Sequence, residues 1–348
     1  PLVATQNEQE AAVAAAKLTD ALEVRQSVEL PGHRSGIRAM SLSSDDSLLL
    51  TTAGNQLKLW NMNTHNCIRT LDLAENDDMA GKVKADEDES AADVILSALF
   101  VPGNRHVVVG TKRGYIDLYE IASGQLLCRE KVHDGLPVWA LDLRPDGRGF
   151  ASGGGKEVWC WDFEMVEVDV DQVNYTRKSA MSAQRAVKRL GFAQTRVLKL
   201  TDDVLCIKHS PDGRFLAAGL LDATVRIFHE DTLNFYLSLY GHKLPVLCLD
   251  ISSDSTLIVT GSADKTAKVW GMDFGDCRKS FRAHDNSVMK VQWVPKTHYF
   301  FTIGKDKVAK YWDGDRHQDI LTLSGHHAEV WSMAVASQGQ FLVTGGND

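Results

Sequence analysis

The feature that most constrains this chain is a spacing. His242 precedes Trp270 by 28 positions, His284 precedes Trp312 by 28, His133 precedes Trp161 by 28 and His33 precedes Trp60 by 27. The pairs Gly241-His242, Ala283-His284 and Gly325-His326 themselves recur every 42 residues, which is the length of one four-stranded propeller blade. Within each unit an apolar run follows the histidine, then a polar turn, a run of small and β-branched residues, a tight turn, and a third run ending in an aromatic residue. Such alternation with turn residues at regular intervals is a strand signal, and it excludes helix over most of the chain. Two degenerate units fill the gaps. One runs over residues 96–122, with Tyr119 near its end; the other runs over residues 204–228, where Val204-Leu205-Cys206 matches Val246-Leu247-Cys248 at an offset of 42. The count of units predicts an all-β, seven-bladed β-propeller.

A chain of 348 residues can form one such domain, because closed β architectures exceed the usual domain length. The six cysteines (Cys67, Cys128, Cys160, Cys206, Cys248 and Cys277) are widely spaced, with no CxxC pair, so they read as thiols of a reducing compartment rather than as disulfides or zinc ligands. A net charge of -8 opposes broad attraction to nucleic-acid phosphates and confines any RNA contact to a local patch. No apolar stretch is long enough to span a membrane as a helix, and residues 1–10 lack the basic and apolar regions of a signal peptide.

Histidine and tryptophan at these offsets, with threonine and aspartate between them, resemble the units of WD-repeat proteins. That resemblance implies a hydrogen-bonded structural tetrad in each blade: His242, Thr260, Asp264 and Trp270, then His284, Thr302, Asp306 and Trp312, with a third set opening as His326, Thr344 and Asp348. Imidazole, hydroxyl, carboxylate and indole N–H can satisfy one another in sequence, and a satisfied buried network stiffens a sheet. The matching turns of units one and three, at Gly54-Asn55 and residues 153–156, hold no aspartate, so those networks are expected to be incomplete and the blades looser.

Two insertions break the rhythm. Residues 75–93 carry eight acidic residues against two lysines, whereas residues 174–196 carry Arg177, Lys178, Arg185, Lys188, Arg189 and Arg196 with no acidic residue. Each is either a solvated loop or surface helix, or, for the basic one, an arm docking RNA phosphate or an acidic protein. Residues 1–23 form a separate segment, expected to be a short N-terminal helical lead-in from a preceding domain, with its Ala, Glu and Gln concentrated in residues 8–22. The propeller then spans residues 24–348, with residues 24–30 expected to pair into the last blade and close the ring. A nucleophile triad is disfavoured because its residue types recur in successive units instead of meeting once in a cleft. His326-His327 lacks a third metal ligand, and Gly153-Gly154-Gly155 is not followed by a helix that could cradle phosphate. No catalytic residue, metal site or cofactor is expected.

A narrower resemblance rests on residues 238–252 (SLYGHKLPVLCLDIS), residues 261–277 (GSADKTAKVWGMDFGDC), residues 100–124, residues 304–313 and residues 323–331. These stretches are similar to the second propeller of the Dip-two type WD-repeat nucleolar family, known in animals as WD-repeat protein three. The resemblance covers about residues 30–348 and implies a subunit of the UtpB module of the small-subunit processome. It implies a nucleolar location, protein partners within that assembly, and local contact with pre-rRNA or small nucleolar RNA. The expected role is a non-catalytic scaffold for pre-rRNA processing and small-subunit assembly. The alternative is a peptide-recognition adaptor such as a ubiquitin-ligase substrate receptor. A phosphopeptide reader would gather arginines around one mouth, whereas Arg34, Asp202, Asp203, Lys243, Asp285 and Glu329 are mixed in sign.

Overall fold

Alternating apolar residues separated by Asp, Gly and Ser turns give antiparallel meanders, and the computed structural model describes them over residues 32–73, 93–168 and 187–348. His33–Asp348 form one compact unit. Six four-stranded sheets follow in chain order: blade 1 over residues 39–72, blade 2 over 95–131, blade 3 over 138–199, blade 4 over 204–239, blade 5 over 246–282 and blade 6 over 288–324. Strands a to d of each blade are hydrogen-bonded in sequence order, from inner to outer.

The expectation of seven blades with an N-terminal helix is corrected. The sheet after blade 6 has two strands, Val330–Val335 and Leu342–Gly346, because the unit that opens at His326 supplies only a first and a second strand up to Asp348. No α-helix occurs among the described residues; a 3-10 turn lies at His133–Gly135. Residues 8–22, expected to be helical, and residues 24–30, expected to close the ring, lie outside the described residues. The two-stranded sheet nevertheless abuts blade 1. The Ile37 N–H donates to the Gly346 carbonyl at 2.9 Å, Arg38 stacks its guanidinium on Trp331 at 3.8 Å, and the Asp46 carboxylate accepts the Ser337 hydroxyl at 2.6 Å.

Burial is graded across each blade. In blade 5 strand b (Leu257–Ser262) is buried at every position, whereas strand d (Cys277–Arg282) is exposed at all but one. Apolar layers therefore lie between blades: Val259, Val269 and Cys248 of blade 5 pack with Val288, Trp293 and Phe300 of blade 6. Glycine permits that approach. A Cβ on Gly261 would stand 2.6 Å from Val288 Cγ1, far inside contact distance.

Inner strands are also latched to one another by polar groups. The Asp142 carboxylate of blade 3 accepts the backbone N–H of His209 in blade 4 at 2.7 Å, Asp250 of blade 5 accepts that of Trp293 in blade 6 at 2.7 Å, and Gln292 of blade 6 accepts that of Val335 at 3.3 Å. Lys208 sits between two of these carboxylates, 2.9 Å from Asp142 and 3.9 Å from Asp250.

Candidate functional site

The structure brings the histidine, threonine, aspartate and tryptophan of blades 5 and 6 together. In blade 5 His242 Nδ1 lies 3.0 Å from Asp264 Oδ2 and His242 Nε2 lies 2.8 Å from Thr260 Oγ1, while Trp270 Nε1 donates to Thr260 Oγ1 at 2.9 Å. In blade 6 His284 Nδ1 lies 2.8 Å from Asp306, His284 Nε2 lies 2.8 Å from Thr302 Oγ1, and Trp312 donates to Thr302 at 2.9 Å. The carboxylate can only accept, so Nδ1 carries the proton and Nε2 accepts from threonine. Protons thus point one way along the chain, from indole to hydroxyl to imidazole to carboxylate. His326 meets Thr344 at 2.8 Å and Asp348 at 2.9 Å in the last sheet.

Blades 1 and 3 hold shortened versions. His33 Nε2 reaches Thr51 Oγ1 at 2.7 Å and Trp60 donates to the same hydroxyl at 2.8 Å; His133 reaches Ser152 Oγ at 3.0 Å and Trp161 donates to it at 2.9 Å. With no aspartate in the turn, Nδ1 of both His33 and His133 is buried without a hydrogen-bond partner. Burial therefore lowers His133 to about 4, with Asp134 only partly opposing, and burial together with nearby Lys58 lowers His33 to about 4. In blade 5 burial also lowers His242, but Asp264 opposes it. Burial would raise Asp264, yet bonds from Thr266, the Lys243 N–H and His242 hold it down at about 2.

Blade 2 replaces the tetrad with a buried ion pair that the sequence did not single out. Asp117 accepts both Arg129 Nε at 2.8 Å and Nη2 at 2.9 Å, and Tyr119 donates to it at 3.3 Å. Burial pushes the Asp117 carboxyl upward against the pull of Arg129. Asp142 behaves oppositely: burial would raise it, but Lys208 and His209 bring it down to about 2.

The basic candidates separate. Arg177, Lys178 and Arg185 lie outside the described residues, as does the acidic insertion except Asp93. Lys188, Arg189 and Arg196 stand on a strand, not a loop or helix: Val187–Lys199 pairs with Glu157–Val168 to extend the outer hairpin of blade 3 well beyond strand b, which ends its pairing at Asp162. Arg196 is committed internally, bonding Glu230 Oε1 at 2.8 Å, the Asp231 carbonyl at 2.9 Å and the Glu230 carbonyl, so it clamps blade 3 to blade 4. Lys188 faces Glu167 at 3.5 Å, and Arg189 sits opposite Val166. Glu157, Asp162, Glu164 and Glu167 on the partner strand offset the positive charge of Lys188, Arg189, Arg196 and Lys199. The arm is a mixed-charge ribbon.

Among the described residues no three His, Cys, Asp or Glu side chains are gathered as a metal site. What remains outward is turn surface, including large exposed apolar residues: Leu136, Trp139, Leu221 and Leu244 where the inner strands of blades 3 to 5 begin, and Phe235 and Phe274 at the other end.

The family described as the WDR3 second beta-propeller domain matches residues 36–348. Human WD repeat-containing protein 3 is 48% identical over 220 residues, 63% of this chain and 20% of that protein. The Dictyostelium discoideum WD repeat-containing protein 3 homolog is 47% identical over 227 residues, 65% of this chain and 21% of that protein. U3 small nucleolar RNA-associated protein 12 of Saccharomyces cerevisiae is 42% identical over 221 residues, 63% of this chain and 20% of that protein. The chain thus spans about a fifth of the length of the curated relatives it matches. With a match that runs from the first blade to the last sheet, the chain belongs to the family of WDR3 second beta-propeller domains.

Proposed function

We propose that this domain is a non-catalytic scaffold of ribosome biogenesis, acting in the nucleolus within the UtpB module of the small-subunit processome. The observation that carries this reading is the inward saturation of its recurring chemistry. In the complete tetrads both imidazole nitrogens are occupied, which leaves shape and turn surface as the output. The printed name of the yeast relative, a U3 small nucleolar RNA-associated protein, supports the choice of assembly; fold alone would not, since propellers host many functions. Neighbouring processome proteins dock on the blade turns, and pre-rRNA touches the blade 3 arm locally. The competing adaptor reading draws on Leu136, Trp139, Leu221 and Leu244, an apolar rim suited to an extended peptide.

Crosslinking the tagged full-length protein in cells, with sequencing of bound RNA and mass spectrometry of bound proteins, tests the choice. Recovery of pre-rRNA and processome subunits supports the scaffold, and recovery of a cullin-type ligase supports the adaptor. Neutralising Arg185, Lys188 and Arg189 together is expected to reduce incorporation into large particles with the melting temperature retained. Unchanged sedimentation rejects a docking role for the arm.

A further inference from the structure

His298 closes the turn between strands a and b of blade 6, and both of its ring nitrogens meet carboxylates. Nδ1 lies 2.8 Å from Asp315 in the c–d turn of the same blade, and Nε2 lies 3.1 Å from Asp254 in the a–b turn of blade 5. The turn holds the ring in place. The Val294 N–H donates to the Tyr299 carbonyl at 2.8 Å, the Gly314 N–H donates to the His298 carbonyl at 2.7 Å, and the Trp293 indole stands edge-on to the imidazole at 6.3 Å. The carboxylates are fixed too. Asp254 accepts the hydroxyls of Ser252 and Thr256 at 2.6 and 2.7 Å, and the Asp315 N–H is tied to the Asp313 carboxylate at 2.9 Å. Carboxylates only accept, so both bonds exist together only when the ring carries two protons. The tetrads differ, because there a hydroxyl that can donate faces the second nitrogen. A neutral ring at His298 would turn a lone pair toward a carboxylate, and that contact becomes repulsive.

Burial on its own would lower His298, but Asp315 and Asp254 outweigh it, and the group is held above its ordinary 6.5. The other charges around it are few. Lys296, in the same turn, reaches away to Gln338 of the last sheet at 3.5 Å, Asp313 accepts the N–H groups of Asp315 and Arg316, and Arg316 is exposed. The a–b turn of the last sheet, residues 336–341, holds no charge. Elsewhere on this end of the ring, turns of neighbouring blades are linked by groups whose charge is constant between about pH 6 and 8. Asn104 of blade 2 donates to Ser44 and Asp45 of blade 1 at 3.1 and 3.2 Å, and the Asp212 N–H of blade 4 donates to Ser255 of blade 5 at 3.2 Å. The Lys296 N–H of blade 6 donates to Ser253 of blade 5 at 2.8 Å, and Ser337 of the last sheet donates to Asp46 of blade 1 at 2.6 Å. Among the described residues, His298 alone makes such a turn-to-turn link with an imidazole.

We propose that His298 is a proton-dependent clasp between blades 5 and 6: doubly protonated it ties the blade 5 turn to the two blade 6 turns, and on losing a proton it releases one of them. The inference goes beyond the scaffold reading and does not depend on it. Because the folded value lies above 6.5, the clasp contributes fully below pH 6.5 and its contribution is lost as pH rises through the folded value. The side chain is 35% exposed, so solvent keeps the contribution small. Exchange of the histidine C2 protons in the full-length protein, followed by mass spectrometry over a pH series, reads the midpoint of each imidazole. The His298 midpoint is expected above 6.5, and D254N and D315N are each expected to lower it. Backbone amide exchange of the peptide that holds Lys296, divided by its intrinsic rate, is expected to quicken about threefold as the wild type passes through that midpoint. In H298Q the same ratio is expected to be constant with pH. A His298 midpoint at or below 6.5, a midpoint that either carboxamide variant leaves in place, or wild-type amide protection that does not change with pH overturns the inference.

Discussion

His133 makes one of its two available hydrogen bonds, and the missing one sets a pH dependence. Its folded-state value is depressed to about 4 from an ordinary 6.5, so the imidazole is neutral in both folded and unfolded chains above pH 6.5. As pH falls below 6.5 the unfolded chain takes up the proton first, and stability drops until pH reaches about 4. Asp264 and Asp142, each held at about 2, keep their contributions until pH falls below 3.8. Asp117 and Asp250, raised by burial, instead add stability as pH falls and oppose the histidine effect. The His133 share between pH 6.5 and 4 is therefore read from the difference between the wild type and a His133 variant. Urea unfolding across that window is expected to lose roughly 1–3 kcal/mol on account of His133, and H133N is expected to flatten the profile by about one proton. Equal slopes for the two proteins contradict the account. His33 adds a smaller share because it is more exposed. The same truncation that creates this sensitivity was readable beforehand, since Gly54-Asn55 and residues 153–156 offer no carboxylate; the orphaned nitrogen follows directly from residue types in a turn.

Among the elements, the long outer hairpin of blade 3 divides structural from available charge. Arg196 satisfies Glu230, which is buried, and two carbonyls, so Arg196→Met removes the guanidinium from a buried carboxylate, leaving it only His209 Nε2 at 3.5 Å, and is expected to cost about 3 kcal/mol. Arg189→Gln, at a half-buried position opposite Val166, is expected to stay within about 0.5 kcal/mol. Chemical denaturation of the two variants checks the contrast, and similar losses would refute the assignment of Arg196 as a clamp. This role has no local signature because Glu230 lies 34 residues away on another blade, and only the fold brings the two together. The hairpin itself had a faint signal: Leu190 and Phe192 alternate with Arg189, Gly191 and Ala193 and face Met165 and Phe163 across the register. The blade 2 ion pair was hidden for the same reason as Arg196, in that Asp117 and Arg129 look like ordinary surface charges until the strands pair.

Taken as a whole molecule, the chain carries 38 basic and 46 acidic residues, so RNA can be held only where cations gather. With Arg196 engaged, five basic residues of the 174–196 insertion remain for phosphate. Binding of a single-stranded pre-rRNA fragment to the purified domain is expected to weaken with salt at a log–log slope no steeper than about -4. Filter binding from 50 to 200 mM salt reads this, and a slope near twice that value would require a basic surface elsewhere. The ring of repeats was legible because histidine-to-tryptophan offsets report blade length directly. The seventh unit is counted from the set that His326 opens, whereas the described residues hold two strands of that sheet.

The carboxylate and amide latches between inner strands bear on how such a domain can change over time. At three junctions, blade 3 to 4, blade 5 to 6 and blade 6 to the last sheet, one inner strand is registered on the next through a side chain reaching a backbone N–H, so the angular step there is set near the axis, far from the outer hairpins. Lengthening a hairpin, as in blade 3, leaves that step untouched. The domain works as a ruler whose graduations are fixed at the hub, and new attachments can be grown on the rim without moving those already in use.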